Sequence, residues 1–311
     1  MRLWFIGGGS FAARCLEALV RRLPVELVVT GTPTRGGRGM AEIPSRVEER
    51  ALALGLPLER TGPLGENEPL LTALAANPPD AILVVDFAQL IREPFLSAPR
   101  WGCLNVHPSL LPRWRGAAPV PRSLMDGDVR TGVTVFRLTP EMDAGPILRQ
   151  AAVEVGAGET ATELYDRLSA LGAEIAAAGL SALESAGDCF AGLFTPQDDA
   201  AASYAAKLAR SEFELSWRQP AERLDRAVRA LEASGGAFVM VREKRLKVWR
   251  AAPAAGGHGE PGTVLALQDG ALVVACAAGA LHLEEVQAEG KRRVPAADWA
   301  RGLRLVPGDV L

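Results

Sequence analysis

The chain has 311 residues, 48% of them hydrophobic and 23% charged. That balance excludes global disorder, because so apolar a chain can bury enough surface to offset the entropy of ordering, and the length suggests two domains. Thirty-four Lys and Arg against 37 Asp and Glu leave a net charge of −3, which as a total points to no nucleic-acid partner.

The first apolar run, Leu3-Trp4-Phe5-Ile6, predicts a strand that turns through Gly7-Gly8-Gly9-Ser10 into a helix over 11–21. The glycines loosely fit a dinucleotide fingerprint, but that reading needs an acidic residue at the end of the second strand. The second strand, predicted over 25–30, ends Val28-Val29-Thr30-Gly31-Thr32 without one, so a tight strand-to-helix turn is preferred and a nicotinamide cofactor is excluded. Glycine-flanked arginines follow in Thr34-Arg35-Gly36-Gly37-Arg38-Gly39, a basic loop suited either to a phosphate backbone or to plain solvent. Ala81-Ile82-Leu83-Val84-Val85 predicts a buried strand, residues 103–106 another, and residues 131–138 a third. Strands interleaved with helices at this spacing predict βαβ units and a mostly parallel sheet. Leu164, Leu168, Leu171, Ile175 and Leu180 mark a long helix over 160–184.

After Ser185 turn residues break the periodicity, notably Thr195-Pro196-Gln197-Asp198-Asp199, and a linker is expected to about Lys207. An amphipathic helix over 220–231 and short strands over 237–241, 246–249, 263–266, 271–276 and 280–286 then predict a small β-barrel or sandwich.

The most informative segment is Asn105-Val106-His107-Pro108-Ser109-Leu110-Leu111-Pro112-Arg113-Trp114-Arg115-Gly116. Asn105 and His107 are two apart at the end of an apolar strand, so their side chains share a face. Pro108 and Pro112 discourage regular continuation, which leaves both polar groups at the strand's C-terminal edge, where open α/β sheets bind ligands. An amide donor beside an imidazole can stabilise a developing oxyanion and move a proton; a hydrogen-bonded structural histidine is the competing reading. Asp143, in the loop Glu141-Met142-Asp143-Ala144-Gly145-Pro146, can orient the His107 ring or simply initiate a turn. Asn, His and Asp at strand ends point to acyl or formyl transfer. No Ser or Cys sits in a nucleophile-elbow setting, so direct attack by the substrate's own nucleophile is preferred over a covalent intermediate.

The central segment, with Gly132-Val133-Thr134-Val135 and Met142-Asp143-Ala144-Gly145 downstream, closely resembles the methionyl-tRNA formyltransferases, a branch of the folate-dependent formyltransferases. The resemblance runs almost end to end, through Phe11-Ala12-Ala13, Gly37-Arg38-Gly39, Tyr204-Ala205-Ala206-Lys207-Leu208, Lys247-Val248-Trp249 and Pro261-Gly262-Thr263. It implies an α/β, Rossmann-like formyltransferase domain with a mostly parallel sheet over 1–186, a linker over 187–207, and a C-terminal OB-like β-barrel over 208–311 that helps hold tRNA. It implies transfer of the formyl group of 10-formyltetrahydrofolate to the α-amine of methionyl initiator tRNA, with no metal. By motif position Asn105, His107 and Asp143 match the catalytic trio. Phe87, Ala88, Gln89 and Leu90 with Ser109, Leu110, Leu111 and Pro112 match the folate-contacting segments. Arg38, Lys207, Arg245 and Lys247 are the expected tRNA contacts. Departures lie around the trio and not in it. Gly7-Gly8-Gly9-Ser10 replaces a Gly-Thr-Pro-acid turn, and Asp86-Phe87-Ala88-Gln89-Leu90-Ile91-Arg92 replaces an Ala-Tyr-Gly-x-Ile-Leu-Pro stretch. Alternatives are a formyltransferase for an amino-sugar nucleotide and a non-catalytic RNA-binding relative.

Cys15, Cys103, Cys189 and Cys276 lie far apart without a C-x-x-C pair, and the three histidines are equally scattered. A reducing, cytoplasmic setting is therefore expected, with a monomer and no membrane partner. Met1 leads straight into a strand, so a signal peptide is not expected. The net charge also divides unevenly, at −6 over residues 1–200 and +3 beyond, with Arg242, Lys244, Arg245, Lys247 and Arg250 crowded together. A basic C-terminal domain suits the tRNA partner that the total charge had concealed.

Overall fold

The computed structural model describes residues 1–36 and 41–311, so the expected tRNA contact Arg38 lies outside the described residues. The elements run β1 (Leu3–Gly7), α1 (Ser10–Leu19), β2 (Leu27–Gly31), β3 (Thr34–Gly36), β4 (Ala41–Ile43), α2 (Arg46–Ala53), β5 (Leu58–Thr61), α3 (Glu68–Ala76) and β6 (Ala81–Val85). Then come β7 (Cys103–His107), β8 (Arg115–Gly116), α4 (Pro119–Asp126), β9 (Arg130–Arg137), β10 (Ile147–Glu154), α5 (Ala161–Ala186) and β11 (Tyr204–Ala205). The remainder is α6 (Ala221–Leu231), β12 (Ala237–Val241), β13 (Lys244–Ala254), β14 (Val264–Gln268), β15 (Ala271–Ala275), β16 (Ala280–Ala288), β17 (Val294–Pro295) and α7 (Ala296–Gly302). These elements pack as two units. One comprises Met1–Pro119, Arg130–Val153 and Tyr165–Ala205, and the other Val120–Val129, Glu154–Leu164 and Ala206–Leu311.

In the first unit seven strands form one sheet in the order β10-β9-β7-β6-β1-β2-β5. From β7 to β5 neighbours run parallel. β6 is Ala-Ile-Leu-Val-Val and buried at every position, as a central parallel strand covered on both faces must be. β9 reverses direction against β7, with His107 opposite Thr134 and Asn105 opposite Phe136. The β1–α1 turn uses glycine for closeness: a Cβ on Gly7 would lie 2.7 Å from the Val85 carbonyl oxygen, a distance real side chains do not tolerate. Helix starts follow local chemistry too, since Ser45 caps α2 by accepting from the Glu48 amide and Asn67 caps α3 by accepting from that of Leu70.

The sequence suggested a linker over 187–207. Residues 187–205 instead carry two short 3-10 helices, over Gly187–Leu193 and Asp199–Ala201, and β11, and they pack with the first unit, where Tyr204 and Ala205 pair with Arg115 and Gly116 of β8. β5 and β10 were not foreseen, because Leu58-Glu59-Arg60-Thr61 and Ile147-Leu148-Arg149-Gln150 carry charged or polar residues where sheet-interior strands are usually apolar.

The second unit is an antiparallel sheet in the order β12-β13-β16-β15-β14, with β17 added against β16. Leu224, Val228 and Leu231, spaced for one helical face of α6, are buried in a core with Leu246, Val248, Leu272, Leu281 and Val286. The strand period puts Leu246 and Val248 inward and therefore Arg245 and Lys247 on the other face of β13, opposite Met240 and Phe238. No described helix is long and apolar enough to cross a membrane.

Candidate active site

His107 ends β7 and is 5% exposed, so its ring orientation is decided by protein atoms. Its Nε2 lies 2.8 Å from the Trp114 carbonyl oxygen. A carbonyl only accepts, so Nε2 must carry a proton, and a neutral ring therefore holds its lone pair on Nδ1. Nδ1 faces Asp143, with Oδ2 at 3.7 Å, which is an ion-pair distance when the ring is protonated and too long for a direct hydrogen bond. The sequence had given Asp143 the task of orienting the ring. The geometry gives most of that task to the Trp114 carbonyl, and Phe136 closes the ring's side edge-on at 6.4 Å between centroids.

Asp143 is itself anchored. The amide of Gly116 donates to its Oδ2 at 2.8 Å, and its backbone sits at φ 51°, in the left-handed region that costs an ordinary residue about 1–2 kcal/mol. Trp114 shares that region at φ 63°. Both partners of His107 thus occupy the left-handed region, which Asp tolerates and which the surroundings must impose on the bulkier Trp114. Asn105 is half-buried two residues before His107, and no described residue hydrogen-bonds its carboxamide.

The two expected folate segments divide by chemistry. Ser109 is fully buried and its hydroxyl donates to the Arg113 carbonyl at 2.7 Å, so that side chain is committed to shaping the turn. The buried Thr134 hydroxyl donates to the Ser109 carbonyl at 2.7 Å and accepts from the Leu111 amide at 3.1 Å, while Gln150 donates to the Leu111 carbonyl at 2.9 Å. Leu111 is buried, whereas Leu110 and Pro112 stay half-exposed. Gln89 is likewise committed, accepting from the Leu64 amide and donating to the Gly62 carbonyl. Phe87 packs partly into the core, and Leu90 stands 68% exposed beside accessible Ala88. What these segments offer a ligand is apolar surface from Ala88, Leu90 and Leu110, with peptide groups on either side.

Sequence reasoning passed over Asp86, whose carbonyl accepts from the Gly8 amide at 3.1 Å. A Cβ on Gly9 would fall 1.8 Å from its carboxylate oxygen, so the triple glycine admits this side chain. Crowding by protein atoms raises the Asp86 carboxyl above its ordinary value by desolvation, although the residue remains accessible to solvent. It also passed over Gln197, which stood among turn residues read as a linker. No group of His, Cys, Asp or Glu among the described residues could hold a metal ion.

In the second unit Lys207 is exposed. The Arg245 guanidinium lies 4.7 Å over the Phe238 ring. Lys247 donates to the Gly235 carbonyl at 2.7 Å and lies 5.3 Å over Trp249, whose ring also carries Arg293 at 3.5 Å. Aromatic rings under these cations hold them outward on one face of β13.

Two family models match the chain, that of formyl transferase over residues 1–179 and that of the formyl transferase C-terminal domain over 207–304. Among curated relatives, the methionyl-tRNA formyltransferase of Aromatoleum aromaticum is 40% identical over 310 residues, covering 99% of this chain and 96% of that protein. That of Thiobacillus denitrificans is 40% identical over 311 residues, at 99% and 98% coverage. Among solved structures, HypX from Aquifex aeolicus in complex with tetrahydrofolic acid superposes with TM-score 0.67 at 21% identity; the match covers 100% of this chain but only 49% of HypX. The Helicobacter canadensis N-formyltransferase, solved with folinic acid and dTDP-3-aminofucose, gives TM-score 0.65 at 14% identity over 93% of this chain and 99% of that one. At those identities the two structures speak for the fold alone. The family models and the full-length relatives decide the rest: the chain belongs to the formyl transferase family, within its methionyl-tRNA formyltransferase branch.

Proposed function

We propose that the protein transfers the formyl group of 10-formyltetrahydrofolate to the α-amine of methionyl initiator tRNA. The observation that carries this reading is the paired fixing of His107 at the C-terminal edge of β7, with its Nε2 on the Trp114 carbonyl and its Nδ1 facing Asp143. The folate co-substrate fits the edge described above. Ala88, Leu90, Leu110 and Pro112 provide apolar contact, peptide groups of 87–90 and 109–112 provide polar contact, and the side chains of Gln89 and Ser109 keep these loops in shape.

Bound there, the co-substrate supplies a formyl carbon open to nucleophilic attack. The methionyl amine attacks it directly, forming the new C–N bond. The Asn105 amide donates to the formyl oxygen as negative charge develops on it, and protonated His107 adds positive charge beside it. Asp143 stabilises the imidazolium. Together His107 and Asp143 carry the amine's proton to the folate nitrogen that departs as the old C–N bond breaks. Lys207, Arg245 and Lys247, with Arg38 outside the described residues, are the cations assigned to the tRNA backbone.

We further infer a monomer and a reducing, cytoplasmic setting, the second supported by Cys15, Cys103 and Cys276 all being buried free thiols. The test is a formylation assay with 10-formyltetrahydrofolate and, in turn, charged initiator tRNA, charged elongator tRNA and an amino-sugar nucleotide. Product on initiator tRNA alone is expected, and His107→Ala should lower its rate about 10²–10³-fold, as removal of an oxyanion partner does. Formylation of the amino sugar and not of the tRNA, or a fully active His107→Ala, overturns the reading.

A further inference from the structure

One short segment holds both partners of His107. Ser203 accepts from the Trp114 amide at 3.0 Å through its hydroxyl, and β11 just beyond it pairs with β8, fixing the carbonyl that His107 bonds. Six residues earlier, the Gln197 amide nitrogen donates to two carbonyls at once, that of Asp143 at 2.8 Å and that of Gly145 at 2.7 Å. Its orientation admits no ambiguity. The Gln197 carbonyl oxygen accepts from Arg115 Nε at 3.1 Å and a terminal guanidinium nitrogen at 2.8 Å, and a flipped amide would set donors against the guanidinium and an acceptor against the two carbonyls. Arg115 is 4% exposed and its guanidinium also pairs with the exposed Asp199, so burial of the arginine is what holds the chain of contacts in place.

We propose that Gln197 is a positioning residue for the formyl-transfer site: it holds the Asp143 loop in its left-handed turn and thereby sets the carboxylate against His107 Nδ1. The mechanical logic is direct. The backbone of Asp143 sits at φ 51°, and the two carbonyls flanking that turn are those that Gln197 bridges. Its other end is tied to Arg115, whose chain neighbour Gly116 donates to the Asp143 carboxylate. Backbone and side chain of Asp143 are therefore referred to the same anchor. Gln197 touches no substrate in this scheme and acts only through Asp143, so the inference rests on Asp143 taking part in the transfer.

The test uses Gln197→Glu, which keeps the shape and the Arg115 contact but presents no donor to the two carbonyls. Its kcat should fall about 30–100-fold, with the KM for tRNA and for folate within about twofold of the parent. The amide of Gly116, released from a steadied carboxylate, should exchange hydrogen faster by a similar factor in the substrate-free protein. Combined with Asp143→Asn, the substitution should add less than about threefold to the loss that Asp143→Asn gives alone, because both act on one group. Gln197→Ala, with unfolding followed by thermal melting, should show the same split between kcat and KM. A Gln197→Glu enzyme at parental kcat, or one whose loss multiplies fully with that of Asp143→Asn, overturns the positioning role. If Asp143→Asn itself retains full kcat, the underlying reading of Asp143 fails, and the inference about Gln197 falls with it.

Discussion

A steric test of the site against rigid backbone lies at Gly145, two residues after Asp143. A Cβ placed there would stand 1.8 Å from the Arg137 carbonyl oxygen and 3.0 Å from its carbon. Carbon–oxygen contacts need about 3.3 Å, so in Gly145→Ala the loop must retreat from β9 by about 1.5 Å. The Gln197 bonds to Asp143 and Gly145, now 2.8 and 2.7 Å, cannot follow such a shift and stay within hydrogen-bonding range. A misplacement of about 1 Å in a catalytic group typically costs about 10²-fold in rate, which is roughly 2.7 kcal/mol of barrier. The expected result is a kcat lowered about 100-fold with both KM values little changed, measured by steady-state formylation of initiator tRNA with each substrate varied in turn. Overpacking of this kind costs about 1–3 kcal/mol of stability, so the melting temperature should drop by several degrees while the enzyme stays folded at assay temperature. A folded Gly145→Ala enzyme whose kcat is within threefold of the parent refutes the claim that the position of this loop limits the reaction.

Four further outcomes are expected. Arg122 donates to both Glu212 carboxylate oxygens and to the carbonyls of Ala206 and Lys207, so Arg122→Ala should speed tryptic cleavage after Lys207 in the native protein. The same guanidinium, seconded by the Ala209 amide, holds the Glu212 carboxyl below its ordinary 4.5. A carboxyl lowered in the folded state stabilises above its unfolded value, and that contribution disappears as pH falls through the lower, folded one. Melting temperature followed from pH 6 down to about pH 3 should therefore fall less steeply in Arg122→Ala than in the parent. Binding of tRNA should weaken steeply with salt, and Arg245→Ala and Lys247→Ala should each reduce the slope of log affinity against log salt by about 1; unchanged slopes would remove these residues from the interface. Burial pushes the Cys15 thiol up to about 12 and Cys276 to about 11, and raises Cys103 as well, so a maleimide at pH 7.5 should label Cys189 alone in the native chain and all four thiols after unfolding.

The site was legible in the sequence because its chemistry is local. Asn105 and His107 share a strand face by the two-residue period, and the prolines after them stop the strand at the sheet edge whatever the rest of the fold does. The basic face of β13 was legible for the same reason, since alternation that buries Leu246 and Val248 must turn Arg245 and Lys247 the other way. Charged Leu58-Glu59-Arg60-Thr61 was not legible as β5, because its place beside β2 comes from a pairing partner and not from its own pattern.

By itself, then, the sequence determined the fold class and the family and singled out Asn105, His107 and Asp143 as the candidate trio, all of which rest on periodicity or contiguous motif. Only the tertiary structure decided what holds them. The Trp114 carbonyl fixes the protonated nitrogen of His107, and Gln197, 54 residues beyond Asp143 in a stretch rich in turn residues, reaches back to that loop. A hydrogen bond between residues so far apart leaves no periodic trace in the chain. It exists only because β11 lies against β8 and brings residues 197–205 to the site.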